Sequence, residues 1–111
     1  MANMQHGNLF ADAVPPAAGE RFDTLLAHRN LVVERIVSSA DLAPQDYVQL
    51  QDEWVLLVRG EAELEVAGKP VSLKAGDYLF LPAGTAHRVQ YASDGALWLA
   101  VHLHSQPGGV G

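Results

Sequence analysis

The sequence predicts an all-β domain, a sandwich or a barrel, and three observations lead to this prediction. Apolar and polar residues alternate with a period of two through most of the chain after residue 30. Clusters of Gly, Pro and Asp interrupt the alternation at regular spacing, which leaves seven or eight short segments. Only one segment has helical spacing. The length of 111 residues is that of one domain.

The first elements do not follow the two-residue period. Residues 1–20 include Pro15 and Pro16 and have little periodicity, which predicts an N-terminal arm. In residues 21–29, Phe22 is followed by apolar residues three and four positions later, at Leu25 and Leu26. This spacing predicts one short helix before the barrel.

Extended segments are predicted from residue 31 onward, within a single domain that covers residues 21–104. They cover residues 31–37, 47–50, 53–58, 62–66, 71–73, 78–81, 87–91 and 97–103. Residues 53–58 are apolar at both alternating positions, which predicts a strand covered on both faces. In residues 61–66 every second residue is glutamate, so Glu61, Glu63 and Glu65 are expected to face water. Residues 105–111 are rich in Gly and predict a flexible tail.

Composition narrows the function classes. The net charge is −6, from 7 Lys and Arg against 13 Asp and Glu, and no basic stripe is present. Such a balance argues against nucleic acid and against an anionic membrane surface. The absence of cysteine excludes disulfides and thiolate metal sites. The first residues carry no basic region and no apolar stretch of signal-peptide length, so a cytoplasmic location is expected.

One motif with fixed spacing lies in the second half of the chain. Gly76 is followed after five residues by Pro82, then by Gly84 and His87, and Tyr91 comes after three more residues. This pattern resembles the second motif of the cupin superfamily, G-x5-P-x-G-x2-H-x3-N, with Tyr in place of the last Asn. In this motif the glycines and the proline form the turns at both ends of a strand, and the histidine begins the next strand facing inward.

The first cupin motif, G-x5-H-x-H-x3–4-E-x6-G, is only half present. Glu53 and Gly60 match its second half. The two histidine positions fall on Tyr47 and Gln49 or, with the longer spacing, on Asp46 and Val48. The chain is most similar to small single-domain bacterial cupins with an incomplete first metal-binding motif. The resemblance implies a cupin-type jelly-roll β-barrel made of two antiparallel sheets.

The resemblance also implies a metal site, because cupins bind one divalent ion through the histidines and glutamate of the first motif and the histidine of the second. Carried over to this chain, the ligand set is Gln49, Glu53 and His87, with Tyr47 as the alternative to Gln49, for Mn, Fe, Ni or Zn. An amide is a poorer ligand than an imidazole. The alternative is that His87 is a hydrogen-bonded pocket residue and that Glu53 pairs with a cation such as Arg88.

Other polar and aromatic residues have less specific interpretations. His102 faces His87 if the last two strands form a hairpin, and otherwise it is an edge or interface histidine. Tyr47, Tyr78 and Tyr91 are expected in the pocket wall or the core, and Trp54 and Trp98 between sheets or subunits. The N-terminal carboxylates Asp12, Glu20 and Asp23 are interpreted as surface residues.

Two functional hypotheses lead, and both stay open at this point. The first is a small-molecule-binding cupin whose pocket contains Glu53 and His87 and takes a small polar metabolite, with or without one divalent metal. The second is a metal-dependent enzyme of the dioxygenase, sugar isomerase or lyase type. A protein that serves only as an oligomerising scaffold is less favoured, because an inward Glu and His reduce stability and a scaffold has no use for them. A homodimer is expected from the resemblance and from the apolar segment 53–58.

Overall fold

Eight antiparallel strands make up a computed structural model that describes residues 5–105. In chain order they are β1 (Glu20–His28), β2 (Leu31–Ser38), β3 (Asp52–Arg59), β4 (Glu61–Val66), β5 (Lys69–Lys74), β6 (Tyr78–Leu81), β7 (His87–Ala92) and β8 (Ala96–Leu103). They form a five-stranded sheet, β1-β2-β8-β3-β6, and a three-stranded sheet, β5-β4-β7. The predicted all-β jelly roll of two antiparallel sheets is confirmed.

The short helix predicted for residues 21–29 is wrong, because this stretch is strand β1. The pairing of β1 with β2 shifts by one residue between Thr24 and Leu26. This β-bulge changes which face the following side chains occupy. Phe22 pairs with Ile36 and Leu26 with Val33, which are positions of opposite parity on β2, so Phe22 and Leu26 lie on opposite faces of the sheet. The three- and four-residue spacing in this stretch therefore does not mark one buried helical face. Within residues 5–105 no helix is long and apolar enough to cross a membrane.

Most of the predicted strands agree with the observed ones to within two residues at each end. The exception is residues 47–50, where the structure has only an isolated bridge between Tyr47 and His87. Residues 53–58 lie in β3, whose inner side chains are buried and whose outer side chains are half-buried. The predicted tail, residues 105–111, lies outside the described residues except for its first member.

The core lies between the two sheets, where inward side chains of both meet. Trp98 projects from β8 and is buried between Ala96 and Ala100 on the same face of the strand, whose small side chains leave room for its indole. Leu57 of β3 and Leu64 of β4 complete the contact across the sheets. Trp98 thus lies between the sheets, as expected. A fully buried leucine contributes about 1.5–3 kcal/mol through removal of its surface from water.

Two tyrosines lie elsewhere than predicted, and Trp54 does not lie between the sheets, so its other expected place, between subunits, stays a prediction. Tyr78 and Tyr91 are exposed, so their assignment to pocket wall or core is wrong. Tyr78 is on the outer face of the larger sheet, where its ring lies 5.6 Å from that of Trp54. Tyr78 and Tyr91 each stand next to an inward-facing residue on their strand. Neighbouring residues of a strand face opposite sides of the sheet, so an assignment that is off by one residue places the side chain on the wrong side.

Gly60 shows why the first motif ends in glycine. Its φ of 95° lies in the region that L-residues avoid. A Cβ atom there would also lie 2.6 Å from the Ser93 Oγ and 3.0 Å from the Ala96 Cα. Glycine lets β3 turn sharply into β4 and change from the larger sheet to the smaller one.

Candidate functional site

A cavity of about 90 Å³ opens between the two sheets, at the end of the barrel where β3 begins and β8 ends. This volume has room for several water molecules or a small organic molecule. The cavity has apolar walls and polar groups from five strands and one loop. Its lining comprises Glu20, Phe22, Glu34, Tyr47, Gln49, Glu53, Val55, Leu64, Leu81, His87, Val89, Trp98 and His102.

The strand register brings two of its carboxylates to one histidine. Glu53 on β3 is directly opposite His102 on β8. On the other side of β8, Glu34 of β2 is opposite Ala100. Ala100 is the inward-facing residue of β8 that precedes His102. Side chains that are directly or diagonally opposite on one face of a sheet lie within contact distance. The order β2-β8-β3 therefore places His102 between Glu34 and Glu53.

His102 forms a hydrogen bond with only one of these two glutamates. Its Nε2 lies 2.9 Å from the Glu34 Oε1 and 3.9 Å from the Glu53 Oε2. Its Nδ1 lies 3.2 Å from the Gln51 Nε2. When the Gln51 amide donates to Nδ1, the ring proton is on Nε2 and is donated to Glu34. The hydrogen bond to Glu34, followed by the charge of Glu53, raises the pKa of His102.

Glu53 is only 7% exposed, and its burial raises the pKa of its carboxyl group. The nearby imidazoles of His102 and His87 and a hydrogen bond from Gln49 act in the opposite direction, but they are the smaller effects. Burial disfavours the ionised form because the cavity walls solvate charge less well than water does.

The third carboxylate, that of Glu20, is linked by hydrogen bonds to residues of the core. The Ser38 hydroxyl donates to the Glu20 Oε2 at 2.7 Å, and the Trp98 indole N–H donates to the same hydroxyl at 3.0 Å. Ser38 is completely buried. Burial also raises the pKa of Glu20, an effect that the Ser38 hydrogen bond partly offsets.

The opposite wall is formed by His87 and Tyr47. The two residues pair through both backbone amides, and their rings stack with centroids 5.8 Å apart. The His87 Nδ1 lies 3.0 Å from the Thr85 carbonyl oxygen. A proton on Nδ1 is therefore donated to that carbonyl, and Nε2 keeps a lone pair that can accept a hydrogen bond or bind an ion.

The structure decides between the two alternatives for the first motif. Tyr47 and Gln49 line the cavity. Asp46 is exposed and pairs with Arg88 at 2.6 Å, while Val48 is exposed on the surface. The shorter spacing of the motif is therefore the structurally relevant one. The alternative pairing of Glu53 with Arg88 is wrong, because Arg88 is bound to Asp46.

Three lining residues were missed or misjudged from the sequence. Glu20 is not a surface residue, and His102 is buried, so it is not an edge histidine. The hairpin that would place His102 opposite His87 does not form, since β7 and β8 belong to different sheets. Glu34 had a usable signal, because a charged residue inside the apolar β-branched segment of β2 needs a partner.

The cavity fits a resident metal poorly. Within residues 5–105 no three His, Cys, Asp or Glu side chains are grouped closely enough to hold an ion. Tyr47 and Gln49 occupy the positions where cupins have two histidines, and both ring nitrogens of His102 already have hydrogen-bonding partners. The ligand set Gln49, Glu53 and His87 stays a prediction. It contains one imidazole and one carboxylate.

Comparison with known proteins gives a family match and structural neighbours. The model of the family described as "Cupin domain" matches residues 40–103, more than half of the chain. A protein from Ralstonia eutropha JMP134, proposed to be a mannose-6-phosphate isomerase, is 41% identical. The match covers 92% of this chain and 100% of that one, with a TM-score of 0.78. No curated protein matches the chain.

Two more distant structures share the fold. KdgF from Halomonas sp. is 18% identical over 79% of this chain and 81% of its own, with a TM-score of 0.71. An RmlC-like cupin from Shewanella frigidimarina NCIMB 400 is 19% identical over 92% of this chain and 96% of its own, with a TM-score of 0.70. At these identities the likeness concerns the fold alone.

Proposed function

The chain belongs to the cupin domain family, and we propose that it is a small-molecule-binding cupin whose ligand occupies the cavity between Glu53 and His87. One observation carries the proposal: a buried carboxylate on the larger sheet and an oriented imidazole on the smaller sheet line one cavity with apolar walls. Binding sites commonly combine such walls with a few convergent polar groups.

The energetic cost of this arrangement supports a functional role. A buried carboxylate with a raised pKa destabilises the fold at neutral pH, and an apolar residue in its place would not. Perturbed titratable groups in a cavity are more common at functional sites than elsewhere. A scaffold would have no use for Glu53 at this position.

The name of the Ralstonia relative raises the question of a sugar phosphate as ligand. Proteins bind phosphate through Arg, Lys or clusters of backbone N–H groups. Neither Arg nor Lys is present among the described residues that line the cavity. The lining therefore argues against a phosphorylated ligand in this chain.

Thermal-shift measurements with His87→Ala test the proposal. The protein is screened against polyols, sugars, amines, carboxylates and phosphate esters, beside His28→Ala as the matched control, because His28 is exposed on β1. At least one class should raise the melting temperature of the wild type and of His28→Ala but not of His87→Ala. If no class produces a shift, or if His87→Ala retains it, the proposal is wrong.

The second candidate is a metal-dependent cupin enzyme that acts on a small polar metabolite. The Nε2 lone pair of His87, facing the same cavity as Glu53, favours it. This candidate requires an ion held by His87, Glu53 and the weaker ligand Gln49, although no three His, Cys, Asp or Glu side chains of the described residues are grouped for one. Elemental analysis of protein purified without chelators distinguishes the candidates. A metal content below about a tenth of an equivalent per chain, with no uptake when Mn, Fe, Ni or Zn is added, would exclude the metal-dependent enzyme.

We also propose that the protein forms a homodimer through the outer face of the larger sheet. Trp54 on β3 and its cross-strand neighbour Phe80 on the edge strand β6 lie beside Tyr78, and Tyr78 and Phe80 are more than half exposed. A second copy would cover both the apolar face and the strand edge. Analytical ultracentrifugation should give a dimer for the wild type and for Tyr91→Asp and a monomer for Phe80→Asp. A monomeric wild type contradicts the proposal.

A further inference from the structure

The cavity is lined by more acidic than basic groups. Three carboxylates line it, from Glu20, Glu34 and Glu53. The only groups of the described lining that can carry a positive charge are the imidazoles of His87 and His102. Three arginines pair with carboxylates that do not line the cavity, Arg35 and Arg21 with Asp23 and Arg88 with Asp46. The protein therefore supplies fewer cations than anions to this space.

His102 does not balance all three carboxylates. Its Nε2 proton is directed at Glu34, and the Glu53 Oε2 is 3.9 Å away, beyond hydrogen-bond distance. Glu20 accepts a hydrogen bond from the Ser38 hydroxyl and not from an imidazole. Glu53 is the most buried of the three. It accepts a hydrogen bond from the neutral Gln49 amide, and the nearby His102 gives its proton to Glu34 instead.

A single metal ion does not fit this arrangement. The three glutamates come from three different strands, and in the described part of the chain no three acidic or histidine side chains are grouped closely enough to share an ion. A ligand that contacts more than one of them needs some length and more than one donor group.

The walls agree with an organic cation. Tyr47, Phe22 and Trp98 present aromatic rings to the cavity, and Val55 and Leu81 present aliphatic groups. Aromatic faces attract ammonium groups through their quadrupole, and aliphatic walls bury the methylene groups of an alkylamine. Carboxylates that accept from N–H and O–H groups complete such a site.

We infer that the ligand of this cavity is a small organic ammonium compound with a second hydrogen-bond donor, such as an amino alcohol or a diamine, and not an anion or a metal ion. This inference rests on the proposed small-molecule function and adds its chemical class. The ammonium group lies at Glu53, and the second donor reaches the Nε2 of His87 or the carboxylates of Glu20 and Glu34.

Isothermal titration with matched probes tests the class. The amines are 3-aminopropan-1-ol and 5-aminopentan-1-ol, the neutral analogues are propane-1,3-diol and pentane-1,5-diol, and the anions are 3-hydroxypropanoate and 5-hydroxypentanoate. At least one amine should bind at least about tenfold more tightly than its diol and its hydroxy acid, because only the amine can donate a charge-assisted hydrogen bond to Glu53. Glu53→Gln should abolish this preference, whereas Glu63→Gln, on the exposed face of β4, should retain it.

The outcomes separate the inference from the proposed function. Tighter binding of a diol or a hydroxy acid, lost in His87→Ala, overturns the ammonium class and leaves the binding function standing. No binding of any probe, together with no shift in the wider screen, overturns both. Stoichiometric uptake of Zn²⁺ or Mn²⁺ that Glu53→Gln abolishes also overturns the inference, because an ion would then occupy the place of the ammonium group. If Glu53→Gln retains the preference for amines, the inference is overturned as well.

Discussion

Two sets of three glutamates in this small barrel have opposite environments. Glu61, Glu63 and Glu65 alternate along the single strand β4 and face outward. Glu20, Glu34 and Glu53 come from three strands and face one cavity. The outer set is surrounded by water and exposed partners, whereas Glu20 and Glu34 of the inner set have the partners Ser38 and His102. The contrast shows that the same side chain is a surface group or a site group according to the sheet face that the topology assigns to it.

The largest expected effect concerns a matched pair of serines, because each donates to one glutamate. Ser38 donates to Glu20 inside and Ser72 to Glu63 outside. Ser38→Ala leaves the Trp98 N–H without its acceptor in the core and should reduce the free energy of unfolding by about 2 kcal/mol. Ser72→Ala should change it by less than about 0.5 kcal/mol. Urea unfolding at pH 7 measures both, and equal losses would contradict the distinction.

The next effect is a gain in stability. Burial opposes ionisation of the Glu53 carboxyl group, and Glu53→Gln removes this group. The free energy of unfolding at pH 8 should therefore increase by about 1 kcal/mol. The corresponding outer variant, Glu63→Gln, should leave the stability unchanged within error. Thermal unfolding of both variants beside the wild type checks this, and a less stable Glu53→Gln would show that the carboxylate is a structural requirement.

The pH dependence follows from the direction of the pKa shifts. The pKa of Glu53 and that of His102 are raised, so the folded state binds more protons than the unfolded state between the ordinary and the raised values. The His102 contribution is complete below its unfolded pKa of about 6.5 and is lost as the pH rises through its folded pKa. The free energy of unfolding should therefore decrease as the pH rises from about 5 to 8, and less steeply in Glu53→Gln. An increase over that range would contradict these shifts.

The smallest effect is a change in one pKa. The Glu34 hydrogen bond is the main cause of the raised His102 pKa, and the charge of Glu53 is a lesser cause. In an NMR titration, Glu34→Gln should lower the His102 pKa more than Glu53→Gln does, and Glu65→Gln should not change it. The reverse order for the two inner variants would mean that Glu53, rather than Glu34, is the partner of His102.

Local patterns predicted the outer set and, of the inner set, Glu53 alone, through the first motif. The row on β4 follows from alternation within six residues, and the turns around Pro82 and Gly84 follow from one motif. By contrast, the cavity joins β1, β2 and β3 only because β8 inserts between β2 and β3. That crossover leaves no mark in the spacing of Glu20, Glu34 and His102. In β1, likewise, Phe22 and Leu26 have helical spacing but lie on opposite faces of a bulged strand.

The central claim, that the inner set forms a binding site, is tested most directly by mapping a ligand on the protein. The probe is the compound that gives the largest thermal shift, and the observable is the change in backbone amide chemical shifts in a two-dimensional NMR spectrum. Saturating changes are expected at Gln49, Glu53, His87 and His102. Changes centred on Glu61, Glu63 and Glu65, with the amides of the cavity unaffected, would contradict the account.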